Sequence, residues 1–431
     1  MPTVFGYTLG CKVSQYETEA IIESFEREGF TPIPTDSGAD VYVINTCTVT
    51  AESDRKSRQM IRRCIGKNPE AVIAVCGCYS QRSAEQVAAI DGVSLVFGTD
   101  GKMRIASTVA ALMRNEQFPR ILVTPLEGRP FEPMSISRHP RTRAYLKIED
   151  GCECRCSYCA IAAARGPVRS KLPEQVIAET EALSRQGAPE IVLTGIETGS
   201  YGRDLDGGVD LGSLIAELDR RGSCKSLRLG SLAPELCGEA FVEKIKDAKI
   251  LAPHFHLSFQ SGSDSVLGRM RRRYTRKSAL ENIRRIRENI PGATFTTDLM
   301  VGFPGETDED FQRTLELVRE ARFLDAHVFA YSRRSGTVAA DMPDQIPESV
   351  KRERSRALIE QKNRVRDSVL DEIVAEGELD AVLEGYSGGV YSGHTATFAE
   401  IALAWEDGHS GEWVRVVPVS HKNGVITVKL A

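Results

Sequence analysis

The stretch AYLKIEDGCECRCSYC, residues 144–159, decides how this chain is read. Its first half alternates apolar and polar residues over AYLKI, the period of a half-buried strand, and its second half breaks at Gly151 into a loop carrying Cys152, Cys154, Cys156 and Cys159. Downstream lie further short apolar runs, EIVLTG (190–195), SLRLGS (226–231), HFHLSFQ (254–260), ATFTTDLMVG (293–302) and DAHVFAY (325–331), with helical stretches between them. Repeated strand–helix units predict an α/β fold, a full or partial (β/α)6 barrel whose active face is built from the loops after the strand C-termini. The cysteine loop follows the first of those strands.

Upstream, TVFGYTL (3–9), DVYVINT (40–46), EAVIAVCG (70–77) and LVFGT (95–99) alternate with helical segments, the pattern of a doubly wound parallel α/β domain over residues 1–120. A proline-containing stretch of little periodicity, 121–141, reads as a linker, and the β/α core as 142–372. Within that core, 346–375 is a long charged helix, a connector; 373–431 switches to short alternating runs, a small antiparallel β domain. At 431 residues, with 41% hydrophobic and 27% charged, the chain has the length and composition of about three globular domains rather than of a disordered or fibrous protein. No apolar run is long enough to span a bilayer and the N-terminus does not read as an export signal, so no membrane partner and a cytoplasmic location are expected.

Eleven cysteines in such a chain point to metal or catalytic use rather than a disulfide framework. Cys152, Cys156 and Cys159 form C-x3-C-x2-C; three thiolates can hold three irons of a 4Fe-4S cluster and leave the fourth open to S-adenosylmethionine. Counting Cys154, the same loop could ligate zinc or a closed cluster, and four reduced thiols without metal is the bland alternative. Cys11, Cys47 and Cys78 each follow one N-terminal strand, so in a parallel sheet they can converge on one edge, a geometry that can make a second metal site; singly, each would read as a small core residue. Cys64, Cys76, Cys224 and Cys237 read as structural.

The segments TLGCKVSQYETE, NTCTVTAESDRKSRQ, GCYSQ, YLKIEDGC-x3-C-x2-C, ARGPVRS, LTGIETGSYG, FQSGSDSVLGRMRRRYT and TDLMVGFPGETDEDF resemble those of the radical-SAM methylthiotransferase family, across essentially the whole chain. TLGCKV and RRYT are most similar to the branch acting on threonylcarbamoyladenosine in tRNA, while Ser14, Ala163 and Glu197 depart from the residues common in the family. The resemblance implies an N-terminal methylthiotransferase domain with an auxiliary 4Fe-4S cluster on Cys11, Cys47 and Cys78, a radical-SAM core with a second 4Fe-4S cluster on Cys152, Cys156 and Cys159, and a TRAM-like C-terminal β domain. It further implies methylthiolation at C2 of threonylcarbamoyladenosine at position 37, in the anticodon stem–loop of tRNA. Two S-adenosylmethionines would be used, one as radical source and one as methyl donor, with an electron donor such as flavodoxin or ferredoxin. Sister branches act on isopentenyladenosine in tRNA or on an aspartate of a small-subunit ribosomal protein; a nonenzymatic, metal-stabilised RNA-binding scaffold is the reading from another class.

Tyr158, between two cluster cysteines, is placed to pack on the adenine of S-adenosylmethionine, and Thr194, Gly195, Ser231 and Asp298 lie near strand ends where that cofactor would sit. His254 and His256 read as barrel packing, and FPGET as a strand-to-helix turn. The net charge of −5 hides local patches: residues 269–287 hold nine Arg or Lys against one acid, and 55–67 hold six against none. Arg55, Lys56, Arg271, Arg272 and Arg273 are the candidate phosphate contacts. Residues 371–431 carry ten acids and three bases, so RNA contact there is expected from Tyr391, His394 and Phe398 by shape and stacking.

Overall fold

The computed structural model describes residues 1–36 and 38–431. In the first domain β-branched and aromatic runs become strands β1 (Thr3–Thr8), β2 (Thr31–Pro32), β3 (Val41–Thr46), β4 (Val72–Gly77), β5 (Leu95–Phe97) and β6 (Ile121–Leu122). They form one parallel sheet in the order β2-β1-β3-β4-β5-β6. Alternation sets its two faces: Val41 and Val43 pack against the helices Lys12–Arg27 and Ile105–Met113, whereas Tyr42 and Ile44 face the helix Ala51–Lys67. The stretch read as a linker is not free of either domain. It begins as the edge strand β6, and its Met134 and Ile136 are buried in the core of the next domain.

That core holds β7 (Arg143–Lys147), the short antiparallel pair β8 (Glu149–Asp150) and β9 (Arg169–Ser170), β10 (Glu190–Thr194), β11 (Leu227–Leu229), β12 (Ser231–Leu232), β13 (His254–Gln260), β14 (Thr294–Val301) and β15 (Asp325–Ala330). Parallel pairing runs β7-β10-β11 and, past Gly230, β12-β13-β14-β15, a partial barrel of six units. Phe255, Leu257 and Phe259 of β13 join the large apolar cluster with the surrounding helices. The intervening His254 and His256, with Thr296 and Asp298 of β14 and His327 of β15, line the barrel interior, which is therefore polar.

The helix Glu348–Ala375 is more than a connector, because its Leu358 belongs to the barrel's core and its Val369, Leu370 and Ile373 to that of the last domain. There β16 (Leu379–Ser387), β17 (Val390–Thr395), β18 (Glu400–Ala404), β19 (Trp413–Lys422) and β20 (Val425–Leu430) close into a barrel. Its pairings are antiparallel except β18–β20, which is parallel. This is the small antiparallel barrel expected from the sequence, and its one parallel pair follows from the count: a closed ring with an odd number of strands cannot alternate direction all the way round. Among the described residues no helix is long and apolar enough to cross a membrane.

Candidate active site

Cys11, Cys47 and Cys78 follow β1, β3 and β4, which are neighbours in the sheet, and they meet at its C-terminal edge. The sulfurs are close enough to interact: Cys47 is pushed up to about 11 by burial first and by Cys78 and Cys11 after it. Cys78 is shifted upward by burial and by Cys11. The bend that delivers Cys78 demands a glycine before it, since Gly77 sits at φ 103° and a Cβ there would lie 2.4 Å from the Thr46 carbonyl oxygen. Cys11 is the N-cap of the helix Lys12–Arg27 and is exposed; its side chain makes no capping bond to the helix backbone and lies 3.9 Å from the Ser14 hydroxyl.

A second loop, between β8 and the helix Ile161–Arg165, carries Cys152, Cys154, Cys156 and Cys159, all half-buried. Gly151, at φ 91°, brings the backbone so near Pro167 that no side chain fits. The loop is anchored by Ser157, whose hydroxyl donates to the Arg269 carbonyl at 2.8 Å. Cationic and amide donors point at its sulfurs: Arg272 Nη1 lies 3.4 Å from Cys156 Sγ, and the Ile161 N–H lies 3.4 Å from Cys159 Sγ. Cys152 and Cys154 share a hydrogen bond that lowers Cys154 to about 6 with help from Arg272 and Arg273, and raises Cys152. No group of three or more His, Cys, Asp or Glu among the described residues is arranged to hold a single metal ion.

Between the three domains lies a chamber of about 590 Å³. Thr194, Gly195, Ser231 and Asp298 line it, as do Cys11, His394 and Phe398; Tyr158 instead lines an adjoining cavity with Cys159, and Asp298 borders both. Gly195 has a packing reason as well, because the Glu149 carboxylate occupies the place of its Cβ and accepts the N–H groups of Ile196 (2.8 Å) and Glu197 (3.0 Å). Glu197 is buried, accepts the Ala233 N–H at 2.9 Å and is pushed up to about 7 by that burial. His256 corrects the packing expectation: its ring faces the chamber, 3.1 Å from Asp298 and 2.9 Å from Thr296, while His327 lies 3.3 Å from the other Asp298 oxygen. Those two histidines hold the Asp298 carboxyl far below the usual carboxylate range, against its burial. Lys12 borders the same space, drawn down to about 8 by burial beside Arg143 and Arg228.

The proposed RNA contacts divide. Arg55, Lys56, Arg271 and Arg273 are exposed, with Arg55 paired to Glu52 at 2.5 Å. Arg272 is a correction, since its guanidinium turns inward to Cys156 and to the Ser258 carbonyl (3.0 Å) over the ring of Tyr274. Tyr391 is a second, because its ring fills the core of the C-terminal barrel and its hydroxyl donates to the Gly408 carbonyl. His394 and Phe398 face the chamber rather than open solvent. Phe398, held at φ 74°, stacks between His254 (4.4 Å) and His394 (4.7 Å) beneath the guanidinium groups of Arg143 and Arg228.

One group of functional residues escaped the sequence reading. Glu17, fully buried, receives Lys102 from its own domain and Lys147 (2.8 Å) and Arg165 from the next. Arg165 also pairs with Asp150 (3.1 Å) and donates from Nε to Cys78 Sγ at 3.2 Å. The motif ARGPVRS signalled Arg165, but nothing local ties it to a cysteine so distant in sequence.

The Radical SAM superfamily profile matches residues 146–318 and that of the uncharacterized protein family UPF0004 matches 3–98. Over 90% of its length the chain is 40% identical to threonylcarbamoyladenosine tRNA methylthiotransferase MtaB of Bacillus subtilis, of which it covers 89%. It is 37% identical to the Thermotoga maritima protein of the same name over 100% of this chain and 97% of that one. The chain belongs to the radical-SAM tRNA methylthiotransferases. It is also 36% identical, over 86% of each chain, to tRNA-2-methylthio-N(6)-dimethylallyladenosine synthase of Pelotomaculum thermopropionicum. Among solved structures, the radical S-adenosylmethionine methyltransferase TsrM from Kitasatospora setae shares the fold with a TM-score of 0.59 at 16% identity, covering 79% of this chain and 77% of that one.

Membership in this methylthiotransferase family brings a 4Fe-4S cluster and S-adenosylmethionine as cofactors. The residues fit that cluster. Thiolates joined to iron are stabilised by N–H donors, and the Cys152 loop offers its sulfurs a guanidinium and a backbone amide.

Proposed function

We propose that this methylthiotransferase adds a methylthio group at C2 of threonylcarbamoyladenosine beside the tRNA anticodon, with electrons supplied by a flavodoxin or ferredoxin. The observation that carries the reading is the chamber and its neighbour: Cys11 of the first domain borders one space with Ser231, Gly195 and Asp298 of the β/α core, and Asp298 also borders the adjoining cavity of Cys159, so a substrate held there would lie within reach of both the sulfur site and the radical site. Cys152, Cys156 and Cys159 are assigned to the S-adenosylmethionine-binding cluster and Cys11, Cys47 and Cys78 to the auxiliary one. When bound, these groups supply radical hydrogen removal from an unactivated aromatic C–H and the transferred sulfur, chemistry beyond any side-chain acid or base.

The chain's own side chains do the rest. Arg165 lays positive charge against Cys78, and the network around Glu17 fixes the first domain's orientation to the second. Arg272 neutralises charge at the Cys152 loop, while Asp298, clamped by two histidines, presents an acceptor at the chamber wall. The exposed Arg271 and Arg273, beside that loop, and Arg55 and Lys56 are assigned to tRNA phosphates.

Similarity to the Pelotomaculum enzyme makes the dimethylallyl substrate the natural rival. Mass spectrometry of tRNA nucleosides from cells lacking the gene, with and without complementation, separates the two. Loss and return of the methylthio form of threonylcarbamoyladenosine is expected; a change confined to the dimethylallyl nucleoside, or to a ribosomal aspartate, would overturn the assignment.

A further inference from the structure

Buried lysines in this molecule are otherwise matched with carboxylates: Lys102 and Lys147 with Glu17, Lys171 with Glu179, and Lys351 with Glu348. Lys12 is the exception. Its ammonium has no ion pair or hydrogen bond among the described residues, although it stands half-buried at the chamber wall with Arg143 and Arg228 for neighbours. The wall close by repeats the pattern. Arg228, 2% exposed, turns Nε and Nη2 to Glu190 at 2.8 and 2.7 Å, and its Nη1 is buried without a partner. His254 Nδ1 is likewise unpartnered. Acids nearby answer this charge only in part: Glu190 is taken by Arg228, Asp298 is held between His256 and His327, Asp325 pairs with Lys362 at 2.5 Å, and Glu400, also on the wall, is exposed to solvent. A desolvated site with surplus cationic donors is built for an anion that arrives with the ligand.

The target base supplies one. For sulfur to reach C2 of the adenine, that carbon must face Cys11, the neighbour of Lys12. The N6 substituent leaves the ring from C6, one ring nitrogen away from C2, and so extends along the same wall. A threonylcarbamoyl group ends in a carboxylate, whereas a dimethylallyl group ends in hydrocarbon.

We propose that Lys12, backed by Arg228, reads the carboxylate of the threonylcarbamoyl substituent and thereby selects this adenosine over its neutral counterparts. A hydrocarbon in that place would leave the ammonium desolvated and unpaired, so the same residue both attracts the right substrate and penalises the wrong one. The assignment rests on the proposed tRNA adenosine substrate and deepens it.

The test measures equilibrium binding of fluorescent anticodon stem–loops to the reconstituted full chain. The RNAs carry threonylcarbamoyladenosine, its methyl ester, or unmodified adenosine. Wild type should bind the free acid about 10–100 times more tightly than the ester, the range of one charge-assisted contact. Lys12→Gln should bind acid and ester alike, and Lys12→Arg should keep the preference. Iron content and circular dichroism establish that each variant is intact, and Lys12→Met replaces the glutamine variant if that one does not fold. A Lys12→Gln protein that still prefers the acid would overturn the proposal, as would one weakened equally on all three RNAs, which would make Lys12 a phosphate contact. Wild type that distinguishes neither acid nor ester from unmodified adenosine would instead sink the substrate reading itself.

Discussion

Replacing Glu17 by Gln should cost the fold about 3–5 kcal/mol, the range for removing one partner from a buried ion pair. The structure sets why the loss belongs there. Glu17 is fully buried and is the carboxylate shared by Lys102, Lys147 and Arg165. In the variant, Lys147 and Arg165 keep Asp150, at 2.7 and 3.1 Å, but Lys102, itself fully buried, keeps no ion-pair partner among the described residues. Urea unfolding followed by circular dichroism measures the change, taken from the first transition because a three-domain chain need not unfold in one step. Adding Lys102→Met should recover a large part of the loss, since it removes the stranded charge rather than restoring its partner. The pH dependence has a fixed sign. The cations hold the Glu17 carboxyl well below its ordinary range despite burial, so its stabilisation is full above the unfolded-state value near 4.3 and fades as pH falls below it. The difference between wild type and Glu17→Gln should therefore shrink in acid. A loss under about 1 kcal/mol at neutral pH, or a double variant no more stable than the single one, would refute the reasoning.

Other consequences follow from the chamber wall. Asp298→Asn should lower the pKa of His327, which the carboxylate holds above the ordinary histidine value; ring-proton NMR titration would show it, and an unmoved titration would contradict the pairing. The stabilisation from that pair is present below the ordinary histidine pKa and is lost as pH rises through the raised one. Phe398→Leu keeps an apolar side chain but removes two ring stacks and two guanidinium contacts, and should loosen the docking of the C-terminal barrel by about 1–3 kcal/mol. Faster proteolysis near Glu376–Glu378 would register it, and unchanged digestion would argue that Phe398 is not the joint.

Local pattern carried the strands and the cysteine spacing, because a strand's alternation and a C-x3-C-x2-C loop are each contained within a few residues. The same locality explains what was misread. Arg272 sits in a run of arginines, and charge along a run does not say which member turns inward; its neighbours Arg271 and Arg273 are exposed. Tyr391 belongs to an alternating strand, where one residue's shift of face separates a stacking platform from a core ring. The alternation of HFHLSFQ did contain the polar barrel wall, yet only the pairing of β13 with β14 puts His256 beside Asp298. Cys78 and Arg165, or His254 and Phe398, come from different domains, and no periodicity records contacts made by docking.

The central claim is that two sets of three cysteines hold two clusters, one beside the chamber and one beside the cavity that adjoins it. Iron and acid-labile sulfide per chain after anaerobic reconstitution test it most directly, for wild type and for Cys11/Cys47/Cys78 and Cys152/Cys156/Cys159 each replaced by Ala. About eight irons, falling to about four in either variant, is the result predicted. About four irons in wild type, lost only with the second set, would leave no auxiliary sulfur site and contradict the account.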